Sequence, residues 1–219
     1  NFMFASSSSV YGHSIHEDGA FRETDPMFPC NPYGRTKKIC EMIIKDYCEV
    51  YDMNYSILRL FNVAGSNAGK NGYQKSPYVH VLPIIVEKAL TNETFDICGD
   101  DYDTADGTCE RDYTHINDIA RGFLLALHQL FDTGVSNTFN LGNSNPVSVL
   151  ELIKTVEEEI GEDINTTLVA PRSGDMEKTY AAVDFAKNVL GWEPTKSIND
   201  IVADELAWQK PKLKRKHNL

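Results

Sequence analysis

Residues 31–61 read NPYGRTKKICEMIIKDYCEVYDMNYSILRLF. Asn31 before Pro32 is a helix start: a side chain able to cap, then a proline at the first helical position. From Tyr33 to about Tyr51, the residues Ile39, Met42, Ile43 and Tyr47 recur at helical spacing and mark one face. Residues 54–61, NYSILRLF, alternate and are rich in β-formers, which predicts a strand. Upstream, Asn1-Phe2-Met3-Phe4-Ala5 is a short apolar run that ends in serines. It predicts a buried strand with small hydroxyl residues at its C-terminal end. Residues 12–32 between them are a polar, proline-containing loop. Strand, long loop, helix, strand implies a right-handed crossover and a parallel sheet.

Downstream, residues 67–76 are rich in Gly, Asn and Lys and are expected to form a mobile loop. Helices are predicted over 79–90 and 117–131, and strands over 94–99 and 138–142. Between them, residues 100–112 form a polar loop with Asp106-Gly107 as a turn. Ser148-Val149-Leu150-Glu151 is a capping box and opens a helix to about Ile160. A strand near 167–169 and helices over 184–190 and 199–208 complete the pattern. No internal repeat is present. The class is α/β, with the later strands of a doubly wound parallel sheet followed by a smaller mixed lobe.

The sequence has 219 residues, 42% hydrophobic and 24% charged, enough to fill a core. Its formal net charge of −11 disfavours a broad nucleic-acid or anionic-membrane surface. A small anionic ligand is still compatible, because two or three arginines suffice for a pyrophosphate. The basic run 212–216 is expected to be a frayed tail. Five cysteines, none at CxxC spacing, suggest neither a disulfide framework nor a zinc site. No metal is expected. A reducing, cytoplasmic setting fits this cysteine usage, and no apolar run reaches membrane-spanning length.

Tyr33 and Lys37 lie four residues apart at a helix start, hence one turn apart on one face. An ammonium beside a phenol favours the phenolate, and such a phenol can act as a general base on an alcohol. Ser7, at the end of the first strand, could hydrogen-bond the reacting oxygen. The YxxxK spacing alone is common by chance. The context adds to it, because doubly wound folds place their sites at strand C-termini.

SSSSVYG (6–12), NPYGRTK (31–37) and LRLFNVAG (58–65) resemble the extended short-chain dehydrogenase/reductase family. GDDYDTADGTCERDYTHINDIA (99–120), NLGNSNPVSVLELI (140–153) and PRSGDMEKTYAAVDFAK (171–187) are similar, within it, to the UDP-glucose (UDP-galactose) 4-epimerases. The likeness runs in order over nearly the whole chain. The 99–120 pattern is the specific part.

The resemblance implies a partial NAD-binding Rossmann sheet over 1–62 and 112–143. It implies a sugar-nucleotide lobe over 63–111 and 144–219. It implies an isomerase of galactose metabolism that inverts C4 of a UDP-hexose. In that reading Tyr33 removes the proton of the 4-hydroxyl and the hydride passes from C4 to NAD. The keto sugar turns over, and both return to the opposite face. Lys37 holds the nicotinamide ribose and keeps the tyrosine acidic, Ser7 bonds the 4-hydroxyl, and Phe61 packs on the cofactor. Ser6 and Ser8 are close enough in sequence to compete with Ser7 for that role. Asn62, His80 and Val81 face the substrate, Arg111 and Arg172 hold its diphosphate, and Asp175 contacts the ribose side.

Thr179 stands beside the sugar's 2-substituent, where a small residue leaves room for an N-acetyl group. Two residues depart from the family pattern. Cys98 stands where a larger residue usually lies by the base, and Leu60 replaces a tyrosine. A homodimer through the helix beginning at Tyr33 is implied. Its apolar face is equally compatible with ordinary core packing.

No GxxGxxG loop follows a first strand here. A chain beginning inside a strand is expected to belong to a longer one. The 219 residues by themselves are expected to hold NAD poorly and to be inactive. Other readings are another nucleotide-sugar epimerase, a 4,6-dehydratase, or a non-catalytic truncated remnant. A dehydratase would require an Asp-Glu type pair close to Ser7, where Ser8-Ser9 stand.

Overall fold

The computed structural model describes residues 1–72, 78–172 and 174–217, with side chains to residue 213. In chain order the elements are β1 (Phe2–Ser7), a short 3-10 turn (Ser8–Val10), β2 (Ala20–Phe21), α1 (Pro32–Val50), β3 (Tyr55–Leu60) and β4 (Asn62–Ala64). Then come α2 (Val81–Thr91), β5 (Phe95–Cys98), β6 (Glu110–Arg111), β7 (Tyr113–His115), α3 (Ile116–Thr133) and β8 (Asn137–Leu141). The chain closes with β9 (Val147–Ser148), α4 (Val149–Ile160), β10 (Thr166–Val169), β11 (Lys178–Ala181), α5 (Asp184–Leu190) and α6 (Ile198–His217).

The main sheet is parallel, in the order β1-β3-β8, with Phe2 opposite Tyr55 and Leu60 opposite Leu141. The α1 crossover from β1 to β3 is what the strand–helix–strand pattern predicted. β4 pairs with β7 in parallel, and β5 pairs with β10. A fourth sheet runs β2-β11-β6-β9, parallel except for its antiparallel β6-β9 pair. Two cores result. One gathers Leu58, Ile119, Phe139, Leu141, Leu190 and Trp192 behind the main sheet. The other gathers Leu82, Ile85, Leu152, Val156, Ile201 and Leu206 from α2, α4 and α6.

The capping box forms as predicted: the Ser148 side chain takes Glu151 N–H, and the Glu151 carboxylate takes Ser148 N–H. Asn31 caps α1 by accepting from Gly34 N–H at 2.8 Å. Two expectations are corrected. β1 is not buried along its length: Phe2 and Ala5 are exposed, and only Ser6 and Ser7 are buried. Its one hydrogen-bonded neighbour among the described residues is β3, so its apolar run lies at a sheet edge. The basic run 212–216 is not frayed. It continues α6 to His217.

The apolar face of α1 is not packed in this chain's core. Ile39, Met42, Ile43 and Tyr47 are each about half exposed, and the helix buries Gly34, Glu41 and Cys48 instead. Of the loop expected over 67–76, residues 73–76 lie outside the described residues. Among the described residues, no helix is long and apolar enough to cross a membrane.

Candidate active site

Tyr33 and Lys37 sit on the first turns of α1, against the C-terminal end of β1. Two features of the chain bring them there. Asn31 fixes the helix start, and Gly34 lets the helix press onto the serine turn. A Cβ at position 34 would lie 2.1 Å from the Ser9 carbonyl oxygen. No side chain fits in that space. Lys37 Nζ donates to the Ala5 carbonyl at 2.7 Å and lies 5.7 Å from the centre of the Tyr33 ring. A cavity of about 370 Å³ opens beside them, walled by Ser6–Ser9, Leu60, Phe61, Asn62 and His80.

The serines differ in what they are free to do. Ser6 Oγ donates to the buried Glu41 carboxylate at 2.5 Å, so its hydroxyl is committed inward. Ser7 Oγ accepts from Ser9 N–H and donates to Ser9 Oγ, both at 3.2 Å. Those are local, long bonds at the cavity wall.

A second cavity, about 210 Å³, is lined by Asn62, Val81, Cys98, Cys109, Arg111, Tyr113, Arg172 and Asp175. Asn62 lines both cavities, which therefore adjoin at the start of β4. Arg111 Nη2 stands 3.7 Å from Asp175 Oδ1. Arg172 Nε donates to Cys98 Sγ at 3.3 Å, a contact that raises the guanidinium's pKa. Burial pushes the Cys109 thiol up.

The predicted residues thus fall into two groups. Ser7, Tyr33, Lys37, Phe61, Asn62 and His80 surround the first cavity, and Asn62, Val81, Arg111, Arg172 and Asp175 surround the second. Thr179 lines neither. It lies opposite Arg111 in the β6-β11 pair, buried, and its hydroxyl has no hydrogen-bond partner among the described residues. Among those residues, no group of three or more His, Cys, Asp or Glu side chains could hold a metal ion.

Sequence reasoning missed the supports beneath these walls. Glu41 is one turn beyond Lys37 on α1 and is fully buried. Its carboxylate accepts from Ser6 Oγ and, at 3.0 and 2.7 Å, from Arg59 Nε and Nη2. Arg59 Nη1 donates to Tyr11 Oη at 2.9 Å, and Tyr11 Oη donates to Asn140 Oδ1 at 2.6 Å. The chain of bonds ties β1, α1, β3 and β8 together under the serine turn. Asp112, next to Arg111, accepts from the N–H groups of Asn143, Ser144 and Ala181 at 2.5, 3.1 and 3.0 Å. Gly142 is required there, since a Cβ would lie 2.4 Å from Asp112 Oδ2. The signal for Asp112 was available, because it sits inside the motif that carries Arg111. Glu41 and Arg59 look like ordinary surface charges in sequence.

Residues 1–142 match the NAD dependent epimerase/dehydratase family. The chain is 38% identical over 211 residues to a UDP-glucose 4-epimerase of Halalkalibacterium halodurans, covering 95% of this chain and 63% of that protein. It is 40% identical over 209 residues to one of Streptococcus mutans, covering 94% and 62%. Among solved structures it resembles a UDP-glucose-4-epimerase from Stenotrophomonas maltophila with bound NAD and formylated UDP-arabinopyranose. The TM-score is 0.92 and the identity 34%, over 98% of this chain and 65% of that one. A Bifidobacterium longum UDP-glucose 4-epimerase in complex with NAD+ and UDP gives 0.87 and 33%, over 96% and 64%. The chain thus spans 62–63% of the length of these two curated relatives.

Proposed function

The chain belongs to the NAD dependent epimerase/dehydratase family, and we propose that the protein epimerises C4 of a UDP-hexose, interconverting UDP-glucose and UDP-galactose. One observation carries this reading. The cavity holding Tyr33, Lys37 and Ser7 adjoins, at Asn62, a second cavity that holds Arg111 and Arg172. That is a place for a reacting alcohol next to a place for a diphosphate.

The first cavity's residues fit the nicotinamide end of NAD. An ammonium (Lys37) and a phenol (Tyr33) can bond ribose hydroxyls, and Phe61 and Leu60 supply an apolar wall. When bound, NAD supplies the acceptor and donor of a hydride. The chain's own residues do the rest. Tyr33 Oη takes the proton of the sugar's 4-hydroxyl and later returns it. Lys37 places positive charge beside the phenol. Ser7 Oγ gives up a long, local bond to Ser9 and aligns the same oxygen, at little cost because that bond is weak. Arg111 and Arg172 hold the diphosphate while the hexose turns. Asp175, 3.7 Å from Arg111, sets that guanidinium's position. His80 and Val81, at the start of α2, close the side between the cavities.

The division into a Rossmann part (1–62, 112–143) and a lobe (63–111, 144–219) is supported by the two larger cores, while the smallest cluster joins Phe21 and Phe61 to Ala181 across it. The exceptions are Ala186, Leu190 and Trp192, which pack behind the main sheet, and Tyr113, which packs with the core of α2, α4 and α6. The half-exposed apolar face of α1 supports a homodimer through that helix. Five unpaired cysteines fit a cytoplasmic setting.

The test is turnover of UDP-galactose by the intact protein and by Tyr33→Phe and Lys37→Met. Loss of at least a hundredfold in kcat is expected in each, with UDP binding retained. Full activity in Tyr33→Phe would sink the mechanism, and no activity in the unaltered protein would favour a non-catalytic remnant. Acceptance of N-acetylated UDP-hexoses rests on the family resemblance at Thr179, which lines neither cavity. A Thr179→Tyr protein that turned over both substrates at unchanged relative rates would refute that.

A further inference from the structure

We propose that the Tyr113 hydroxyl is a hydrogen-bonding contact for the nucleotide at the floor of the Arg111–Arg172 cavity. This rests on the functional reading above and adds a residue to it. Tyr113 has 3% of its surface exposed, and its hydroxyl has no hydrogen-bond partner among the described residues. A buried hydroxyl left unbonded is costly, and native proteins seldom keep one without a reason.

Its position gives the reason. Tyr113 is two residues beyond Arg111 on an extended chain, so the two side chains leave the same side of the backbone. Both line the same cavity, together with Cys109 and Arg172. Burial raises the phenol's pKa. The group at the cavity floor is therefore a neutral phenol, which can donate one bond and accept another.

Beside two guanidinium groups, the complementary partner is an acceptor: a phosphate oxygen, a ribose oxygen or a base carbonyl. Tyr113 is held in β7 by its parallel pairing with β4, opposite Asn62, so the phenol's backbone does not need a ligand to be in place. The hydroxyl is thus held ready before the nucleotide arrives, which lowers the cost of binding.

Tyr113→Phe removes only this oxygen. A hydroxyl bonded within the protein would give a less stable variant. A hydroxyl reserved for ligand gives the opposite: a Tm unchanged or raised, because an unbonded buried polar group has gone, together with weaker nucleotide binding. Calorimetric titration of the intact protein with UDP and thermal melts without it provide both readouts. The expected result is a Kd for UDP raised about three- to tenfold, the range of one hydrogen bond, with Tm no lower. An unchanged Kd would overturn the inference, and so would a Tm that falls. UDP binding by the unaltered protein separates these outcomes from failure of the functional reading itself, which would show as no binding at all.

Discussion

Replacing Glu41 by Leu should cost far more than a surface substitution, and the cost should largely vanish when Arg59 is replaced at the same time. Glu41 and Arg59 have 0% and 2% of their surface exposed, and two hydrogen bonds of 3.0 and 2.7 Å join them. Without Glu41, Arg59 keeps only neutral partners: Tyr11 Oη at 2.9 Å, the Glu23 carbonyl at 3.0 Å and the Met27 sulfur at 3.2 Å. Its charge is then buried and uncompensated, a penalty of about 3–5 kcal/mol. Ser6 Oγ also loses its acceptor, for about 1 kcal/mol more. Glu41→Leu/Arg59→Met removes the orphaned charge and leaves only lost neutral bonds, so about 1–3 kcal/mol should remain. Urea unfolding of the intact protein measures this. With a slope of roughly 2 kcal/mol per molar, the single variant's midpoint falls by about 2–3 M, and the double variant recovers about half of that. A single variant within about 1 kcal/mol of the parent, or a double variant as unstable as the two singles added together, would refute the reasoning.

The exposed face of α1 should mediate self-association: Met42→Glu with Ile43→Glu is expected to give a monomer of unchanged circular dichroism, read by sedimentation. A parent that is itself monomeric would disprove it. Asp118 gives a pH dependence. Burial pushes its carboxyl up, but bonds from Thr195, Arg121 and Lys196 outweigh this and hold it below the ordinary value. A depressed carboxyl stabilises the fold above its unfolded value, about 3.9, and that stability is lost as pH falls through the lower folded value. The stability gap between the parent and Asp118→Asn should therefore narrow from pH 5 toward pH 2. A gap constant over that range would refute the assignment.

The long elements were legible because each carries many turns of its period. α1, α2, α3 and α4 appear within two residues of their predicted ends, and so do β3, β5 and β8. The strands that went unseen, β2, β4, β6, β7, β9 and β11, are two to four residues long. Two residues have no period, and such strands exist only because distant partners meet them, as Arg111 meets Thr179. The candidate site shows the same division. Tyr33, Lys37 and Arg111 could be picked from motifs, but that Asn62 joins two cavities depends on β4 lying beside β7.

α1 explains why pattern alone misleads at this place. An amphipathic helix is expected to turn its apolar stripe inward. Here Ile39, Met42, Ile43 and Tyr47 point outward, while the inward side carries Gly34 and Glu41 and holds Lys37 to the Ala5 carbonyl. Apolar packing tolerates sliding by fractions of an ångström, whereas hydrogen bonds to a buried carboxylate fix direction as well as distance. A helix that must hold Tyr33 in register with the end of β1 is better anchored by the second kind of contact. Gly34 removes the one side chain that would keep the two apart. The exposed stripe follows from this choice. With the polar side committed to the sheet, the helix's apolar residues are left for another surface, and the association assay and the Glu41 variants test the two sides of one arrangement.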